Sequence, residues 1–257
     1  MERRIGKGRH SGVKKVRLDD LLVDEGYFAD KDAALRAVLA GDVKVDDSRP
    51  TSAAVRVAPE AVLQVKTPKP YVSRGGFKMR GALDAFGQSV EGLSCIDCGS
   101  STGGFSDCLL QAGAAHVTCV DVNYGMLAWK VRQDPRTSVF ERTNIRTADP
   151  AQLGAPFDLI VADLSFIGLA SLAPVFAALA HEGSVFIGLV KPQFESGHDE
   201  TDHGVVRDES VRARTIEEVR DAMQTAGFTV TGVVESPITG AKGHNVEYLL
   251  RAVYGAE

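Results

Sequence analysis

Two sets of polar residues in this 257-residue chain could do chemistry, and their spacing indicates which kind. The first is a loop, Cys95-Ile96-Asp97-Cys98-Gly99-Ser100-Ser101-Thr102-Gly103-Gly104-Phe105-Ser106, between an apolar run and a helical pattern. Gly99 permits a tight turn, and Gly103 and Gly104 let the backbone approach a ligand at a helix N-terminus. A dinucleotide loop would carry two glycines one residue apart for the pyrophosphate. Here the glycines stand four apart and Asp97 precedes the first, so a carboxylate meets the ligand. That suits a cationic group rather than a diphosphate. A second acid, Asp121, follows Asp97 by 24 residues at the end of the next apolar run. This is about the separation at which an acid bonds a ribose diol in dinucleotide folds. The second set is Lys78, Asp163, Lys191 and Glu247, each beside the end of a predicted helix or strand.

The D-x-G-x-x-x-G-G pattern resembles the S-adenosylmethionine loop of Rossmann-like methyltransferases. The resemblance implies S-adenosylmethionine as cofactor, with Asp97 toward the methionine ammonium. Gly99, Ser100, Ser101, Thr102, Gly103, Gly104 and Phe105 would lie along the methionine, and Asp121 would take the ribose. The methyl acceptor can then be weighed. Amine methyltransferases usually carry Asn/Asp-Pro-Pro-Tyr/Phe after the fourth strand, whereas this chain has Asp163-Leu164-Ser165-Phe166. Cytosine C5 transfer needs a cysteine nucleophile in the later strands, and all four cysteines precede residue 120. A 2′-hydroxyl acceptor needs instead a group that accepts or stabilises its proton, and a lysine amine oriented by acids can do so. Lys191 follows an apolar run, where a lone charge is costly unless paired or functional.

Lys78, Asp163, Lys191 and Glu247 together resemble the Lys-Asp-Lys-Glu tetrad of FtsJ-like ribose 2′-O-methyltransferases. With Ser73-Arg74-Gly75-Gly76-Phe77-Lys78 and Lys191-Pro192-Gln193-Phe194-Glu195, the chain is similar to the TlyA family over residues 17–254. That family methylates ribose 2′-hydroxyls of cytidines in ribosomal RNA, and some members carry the name haemolysin. The resemblance implies Lys191 as the activating lysine and Asp163 as its orienting partner, with Lys78 and Glu247 holding the ribose and the charge network. Asn144-Ile145-Arg146 resembles the family's N-x-R segment, which implies Asn144 near the adenine.

The elements that must hold these residues read as alternating strands and helices. Apolar, β-branched runs at 94–98, 116–122, 157–162, 185–190, 228–234 and 246–253 predict strands. Residues 105–112, 125–133, 169–180 and 208–226 predict helices, and Lys78 falls in a helix before the first of these strands. Such alternation predicts an α/β fold with a mainly parallel sheet covered on both faces. The resemblance makes it a Rossmann-like methyltransferase domain of seven strands spanning 73–257.

A smaller segment precedes it. Residues 17–25 and 31–40 have helical spacing, with Gly26 and Gly41 as stops and Asp30 as a cap. The face of the second helix would hold Ala34, Leu35, Val38 and Leu39, and Val43 and Val45 begin an extended pattern. Residues 17–65 resemble the small α+β RNA-binding module named after ribosomal protein S-four. They depart from it at Asp30-Lys31, where Ser-Arg is usual, and at Asp46-Asp47, where Asn-Gly is usual. Residues 1–16 form a basic arm, and 66–72, with two prolines, a linker.

Charge follows this division. The chain holds 29 Lys/Arg and 34 Asp/Glu, a net of −5. Residues 1–80 contain 17 basic and 11 acidic residues, net +6, which leaves 12 and 23, net −11, for the rest. A basic module on an acidic body points to a phosphate-bearing partner, and the family implies ribosomal RNA and the ribosomal subunits. Arg3, Arg4, Arg17, Lys31, Arg36, Lys44 and Arg74 are the candidate RNA contacts.

The charged start and the lack of a long apolar run predict neither a signal peptide nor a membrane partner. With four thiols clustered in one strand-and-helix region, this reads as a cytoplasmic protein, and a cytolysin is disfavoured. A ribosome-binding factor without activity is disfavoured by the intact tetrad. His198, Asp199 and His203 lack the context of a zinc site, so no metal is expected; Cys95 and Cys98 read as core packing, and Trp129 as helix packing.

Overall fold

A computed structural model describes residues 14–66, 70–240 and 245–256, and divides the chain into two compact units, 1–69 and 70–257. Arg3 and Arg4, most of the basic arm and the middle of the linker lie outside the described residues. Among the described residues, no helix is long and apolar enough to cross a membrane.

In the first unit, β1 (Val16–Arg17) leads into α1 (Leu18–Asp24), followed by α2 (Lys31–Leu39), β2 (Val43–Val45), β3 (Arg56–Val57) and β4 (Leu63–Val65). β1 pairs with β3 and β2 with β4, both antiparallel. Gly26 and Gly41 end the helices at positive φ, and the Asp30 carboxylate caps α2 through the Ala33 amide at 2.7 Å. Leu18, Leu22, Ala34, Val38 and Val43 form a small core. Leu35 and Leu39 do not join it: Leu39 is 68% exposed, because only the Ala34/Val38 edge of α2 faces α1. Asp46 and Asp47 both adopt positive φ, the conformation of a two-residue hairpin turn, so aspartates do here what Asn-Gly does elsewhere.

The second unit opens with α3 (Gly75–Phe86), β5 (Ser94–Cys98), α4 (Gly104–Gln111), β6 (His116–Val120), α5 (Trp129–Arg132) and β7 (Thr137–Phe140). Then come α6 (Pro150–Leu153), β8 (Phe157–Ala162), α7 (Ala173–Ala178), β9 (Ala180–Val190), α8 (Pro192–Glu195), α9 (Glu209–Thr225), β10 (Phe228–Glu235) and β11 (Tyr248–Tyr254). The seven strands lie in the order β10-β11-β9-β8-β5-β6-β7, and only β11 runs against its neighbours. Successive residues on each central strand serve opposite cores. Leu159 and Val161 pack with Met79 and Leu109 on one face, while Ile160 and Ala162 pack with Phe176, Phe186 and Met223 on the other. That is why these strands read as unbroken apolar runs.

The helix expected over 125–133 shrinks to α5, because Gly125 turns at φ 73 and Ala128 is extended. Trp129 is accordingly 72% exposed and does not pack a helix into the core. The helix expected over 169–180 becomes a 3-10 turn (Ala170–Leu172) and then α7, restarted at Pro174, and β9 already begins at Ala180. β7 gave no apolar run, being an edge strand whose four residues are all half-buried.

Candidate active site

The strand order reverses between β5 and its neighbour β8, and open α/β sheets bind ligands in the crevice outside the carboxyl ends of strands at such a point. Asp97 and Gly99 lie at the end of β5, Asp163 directly after β8 and Lys191 directly after β9. Sheet register thus gathers residues far apart in sequence.

The loop after β5 is shaped by close contacts. Gly99 turns at φ 84, and a Cβ there would sit 2.8 Å from the Leu164 side chain and 3.0 Å from the Asp163 carbonyl. Ser101 and Gly103 also take positive φ, and Gly103 caps α4. At Gly104 a Cβ would lie 2.3 Å from Ser73 Oγ and 2.9 Å from the Gly76 amide nitrogen. The start of α3 therefore rests directly on the start of α4, which accounts for glycine at 104 and sets the position of Lys78 one turn on.

Asp97 is fully buried. Its Oδ2 accepts the Ser106 amide at 3.0 Å and the Ser106 hydroxyl at 2.6 Å, while its Oδ1 has no partner. Burial, with Asp163 and Asp121 adding to it against the Ser106 hydrogen bonds, pushes the Asp97 carboxyl up to about 7. A buried carboxylate oxygen without a partner lacks a donor, and a cationic ligand group fits that need. Asp121 accepts the Ser101 amide on Oδ2 and the Asn123 amide on Oδ1, both at 2.7 Å. Two cavities flank this loop. One of about 230 Å³ is lined by Gly99, Asp121, Asn144, Ile145 and Leu164; the other, of about 170 Å³, by Ser73, Asp97, Thr102, Asp163 and Lys191. Ser100 and Phe105 also line the second, and Phe105 is anchored in the core. Asn144 is exposed and its Oδ1 accepts the Arg146 amide at 3.0 Å, so it contributes the wall of the turn more than a free side chain.

The four tetrad candidates come together as two ion pairs. Lys191 Nζ lies 2.6 Å from Asp163 Oδ1 and donates to Ser165 Oγ at 3.3 Å. Lys78 Nζ lies 2.6 Å from Glu247 Oε2, and Gln193 Nε2 reaches Glu247 Oε1 at 3.4 Å. Lys78, Lys191 and Glu247 are buried. Burial alone would raise the Asp163 carboxyl, but the Lys191 and Lys78 ammoniums together hold it below the ordinary carboxylate range, which makes the four groups one electrostatic unit. Ser165, Phe166 and Gln193 stand inside the quoted motifs, but the motifs assign them no role. Phe166 is 88% exposed at φ 66 and packs its ring 5.4 Å from that of Phe194. A β-carbon-bearing aromatic in the left-handed region is strained, and such strain clusters at functional sites.

The candidate RNA contacts are distributed. Arg17 is chelated by Asp19 and Lys31 is paired with Asp20 at 2.6 Å, while Arg36 is exposed and Lys44 half-buried. Arg74 Nη2 donates to the Thr239 carbonyl at 3.0 Å within the second unit. Among the described residues no cluster of metal-ligating side chains occurs, and all four cysteines are buried and unpaired, with burial raising the Cys95 thiol to about 12.

Comparison with known proteins places this geometry. Residues 71–254 match the model of the FtsJ-like methyltransferases. The chain is 43% identical over 241 residues, 93% of its length and 90% of the relative's, to the 16S/23S rRNA (cytidine-2′-O)-methyltransferase TlyA of Mycobacterium tuberculosis. A solved structure of a Streptococcus thermophilus protein named as a haemolysin is 37% identical, covers 95% of this chain and 90% of its own, and superposes with a TM-score of 0.74. A Listeria monocytogenes protein named as an S-adenosylmethionine-dependent methyltransferase shares the fold alone, at 14% identity and a TM-score of 0.53 over 70% of this chain and 97% of its own.

Proposed function

Because this chain belongs to the FtsJ-like methyltransferase family, we propose that it transfers a methyl group from S-adenosylmethionine to a cytidine ribose 2′-hydroxyl of ribosomal RNA in the cytoplasm. The observation that carries this reading is the Lys191–Asp163 pair on the wall of a cavity that is also lined by Asp97, whose Oδ1 has no partner.

Bound S-adenosylmethionine supplies an electrophilic sulfonium methyl. Asp97 Oδ1 would take the cofactor's ammonium and Asp121 its ribose, and Asn144 and Ile145 would wall the adenine side. The loop from Ser100 to Gly104 gives the backbone close approach. Lys191 receives the proton of the 2′-hydroxyl as the oxygen attacks, and Asp163 at 2.6 Å stabilises the ammonium that forms. Lys78 and Glu247 complete the charge network and present polar groups to the ribose. The exposed Phe166 ring offers a face to a nucleobase. Aligning oxygen and methyl is worth on the order of 7–11 kcal/mol at best, and the lysine about 10²–10⁴-fold more.

The first unit, with the basic arm, supplies the grip on RNA in this reading, as an S-four-type module; the acidic second unit does the chemistry. Tritium transfer from labelled cofactor to purified ribosomal subunits tests the proposal. Wild type labels cytidine in the ribosomal RNA, and Lys191→Ala loses at least about 10²-fold in rate while binding cofactor as before. Native-rate transfer by Lys191→Ala would remove the lysine from the mechanism.

A further inference from the structure

The segment from Asp163 to Leu169, between β8 and the 3-10 turn, and the segment from Lys191 through α8 each carry half of the Lys191–Asp163 pair. They touch at four levels. Lys191 meets Asp163 at 2.6 Å and Ser165 at 3.3 Å; the Phe194 ring meets Phe166 at 5.4 Å. At the far end Glu195 Oε1 accepts the Leu169 amide at 2.6 Å, and the Ala170 amide also bonds its carboxylate.

This last contact is unusual in kind. Leu169 and Ala170 begin the 3-10 turn that runs into α7, and the first amides of a helical segment lack partners within it. The ordinary solution is a Ser, Thr, Asp or Asn just before the turn. That place is Leu169, which has no side-chain oxygen to offer, and Gly168 before it has no room for a side chain beside the carboxylate: a Cβ would lie 2.3 Å from Glu195 Oε2 and 3.1 Å from the Phe194 carbonyl. The cap is delivered from 26 residues away, by a half-buried carboxylate. Burial raises the Glu195 carboxyl, against the two amide bonds. A local cap would hold α7 equally well without tying the two segments together.

We infer that Glu195 is a positioning residue for methyl transfer: by capping the Leu169–Ala170 turn from α8 it locks the Asp163–Leu169 loop, with its strained Phe166, against the helix that follows Lys191. It touches neither cofactor nor acceptor in this arrangement and acts through Asp163 and Phe166. The inference rests on the proposed function only for its kinetic readout.

Three variants of the full chain test it. Glu195→Gln keeps an acceptor oxygen for the Leu169 amide and is expected within about threefold of wild type. Glu195→Ala is expected to lower kcat about tenfold or more, since small misplacements at a reacting centre cost up to about 10²-fold, while the cofactor Kd stays within about twofold. Glu195→Ala combined with Gly168→Ser restores a local cap in the space vacated, and is expected to recover thermal stability but not kcat. Hydrogen–deuterium exchange supplies a readout free of any substrate: amides 163–170 exchange faster in Glu195→Ala and in the double variant, but not in Glu195→Gln. Unchanged exchange in Glu195→Ala, or recovery of kcat along with stability in the double variant, overturns the clamp. A wild-type protein that transfers no methyl group overturns the proposed function instead, and the exchange measurement still decides the clamp.

Discussion

The Lys78 ammonium and the Glu247 carboxylate, 169 residues apart in sequence, meet at 2.6 Å in a buried position beside the Lys191–Asp163 pair. Desolvating two charges is costly, and their mutual attraction repays it only when both are present. Glu247→Ala is expected to cost about 3–5 kcal/mol, as is Lys78→Ala, because each leaves an uncompensated buried charge. Lys78→Met with Glu247→Leu is expected to be less destabilising than either single change, and still inactive. Urea denaturation of the three variants checks this; additive losses would show that the two groups do not interact.

Asp97 makes cofactor affinity depend on pH. Its carboxyl is raised to about 7, chiefly by burial, so the free protein holds a proton there below about pH 7. Relative to an unfolded carboxyl, this group stabilises the fold most in acid, and that contribution is lost as pH rises through about 7. A cofactor ammonium favours the ionised form. Affinity is therefore expected to fall as pH drops from 8 to 6, approaching tenfold per unit on the acid side, with proton release on binding. Calorimetry in buffers of different ionisation enthalpy measures both. Asp97→Asn should bind weakly at every pH with no such slope, and a slope that survives the substitution would refute the assignment.

The parts of this site that were legible in the sequence are those whose chemistry is local. Glycine at 99, 103 and 104 announces backbone conformations that other residues resist, and Lys191 after an apolar run announces a charge needing a partner. Strand register then did the assembly, because Asp97, Asp163 and Lys191 all end neighbouring strands. Hidden features depend on tertiary contact. The positive φ of Phe166 is imposed by its neighbours, and the missing partner of Asp97 Oδ1 is visible only once Ser106 is seen to take the other oxygen. Trp129 fits helical spacing, yet Gly125 breaks the helix and leaves the indole outside. Leu35 and Leu39 continue an apolar stripe wider than the face that α1 covers.

The contact between α3 and α4 separates three glycines that look equivalent in sequence. A Cβ on Gly75 finds nothing closer than 3.5 Å, whereas on Gly76 it would meet Tyr71 at 2.2 Å and on Gly104 the Gly76 backbone at 2.9 Å. Gly75→Ala is expected to be neutral within about 0.5 kcal/mol, and Gly104→Ala to cost about 1–3 kcal/mol through overpacking. Since backbone cannot yield as a side chain can, Gly104→Ala also shifts Lys78 and the cofactor loop, and should weaken cofactor binding. Thermal melts with and without cofactor distinguish the two; equal tolerance of Ala at 75 and 104 would show that the helices are not in register as described.

The charge division gives the last test. Residues 1–69 hold 14 Lys/Arg and 11 Asp/Glu, net +3, and residues 70–257 hold 15 and 23, net −8, so the unit that holds the chemistry is poorly suited to hold a polyanion by itself. Phosphate contacts release counter-ions, and log affinity falls linearly with log salt in proportion to their number. For the full chain, the KM for ribosomal subunits is expected to climb steeply between 50 and 200 mM salt, while cofactor affinity barely moves. Removing residues 1–65 takes away 12 of the 29 basic residues, the basic arm among them, but neither core of the second unit, in which the cofactor loop and the tetrad are built. The shortened chain is therefore expected to bind cofactor as the full chain does and to lose subunit methylation at every salt concentration. Filter binding and tritium transfer, run in parallel on both chains, separate the two effects. Equal methylation by the shortened chain would mean that the second unit recognises RNA by itself, against its own net charge.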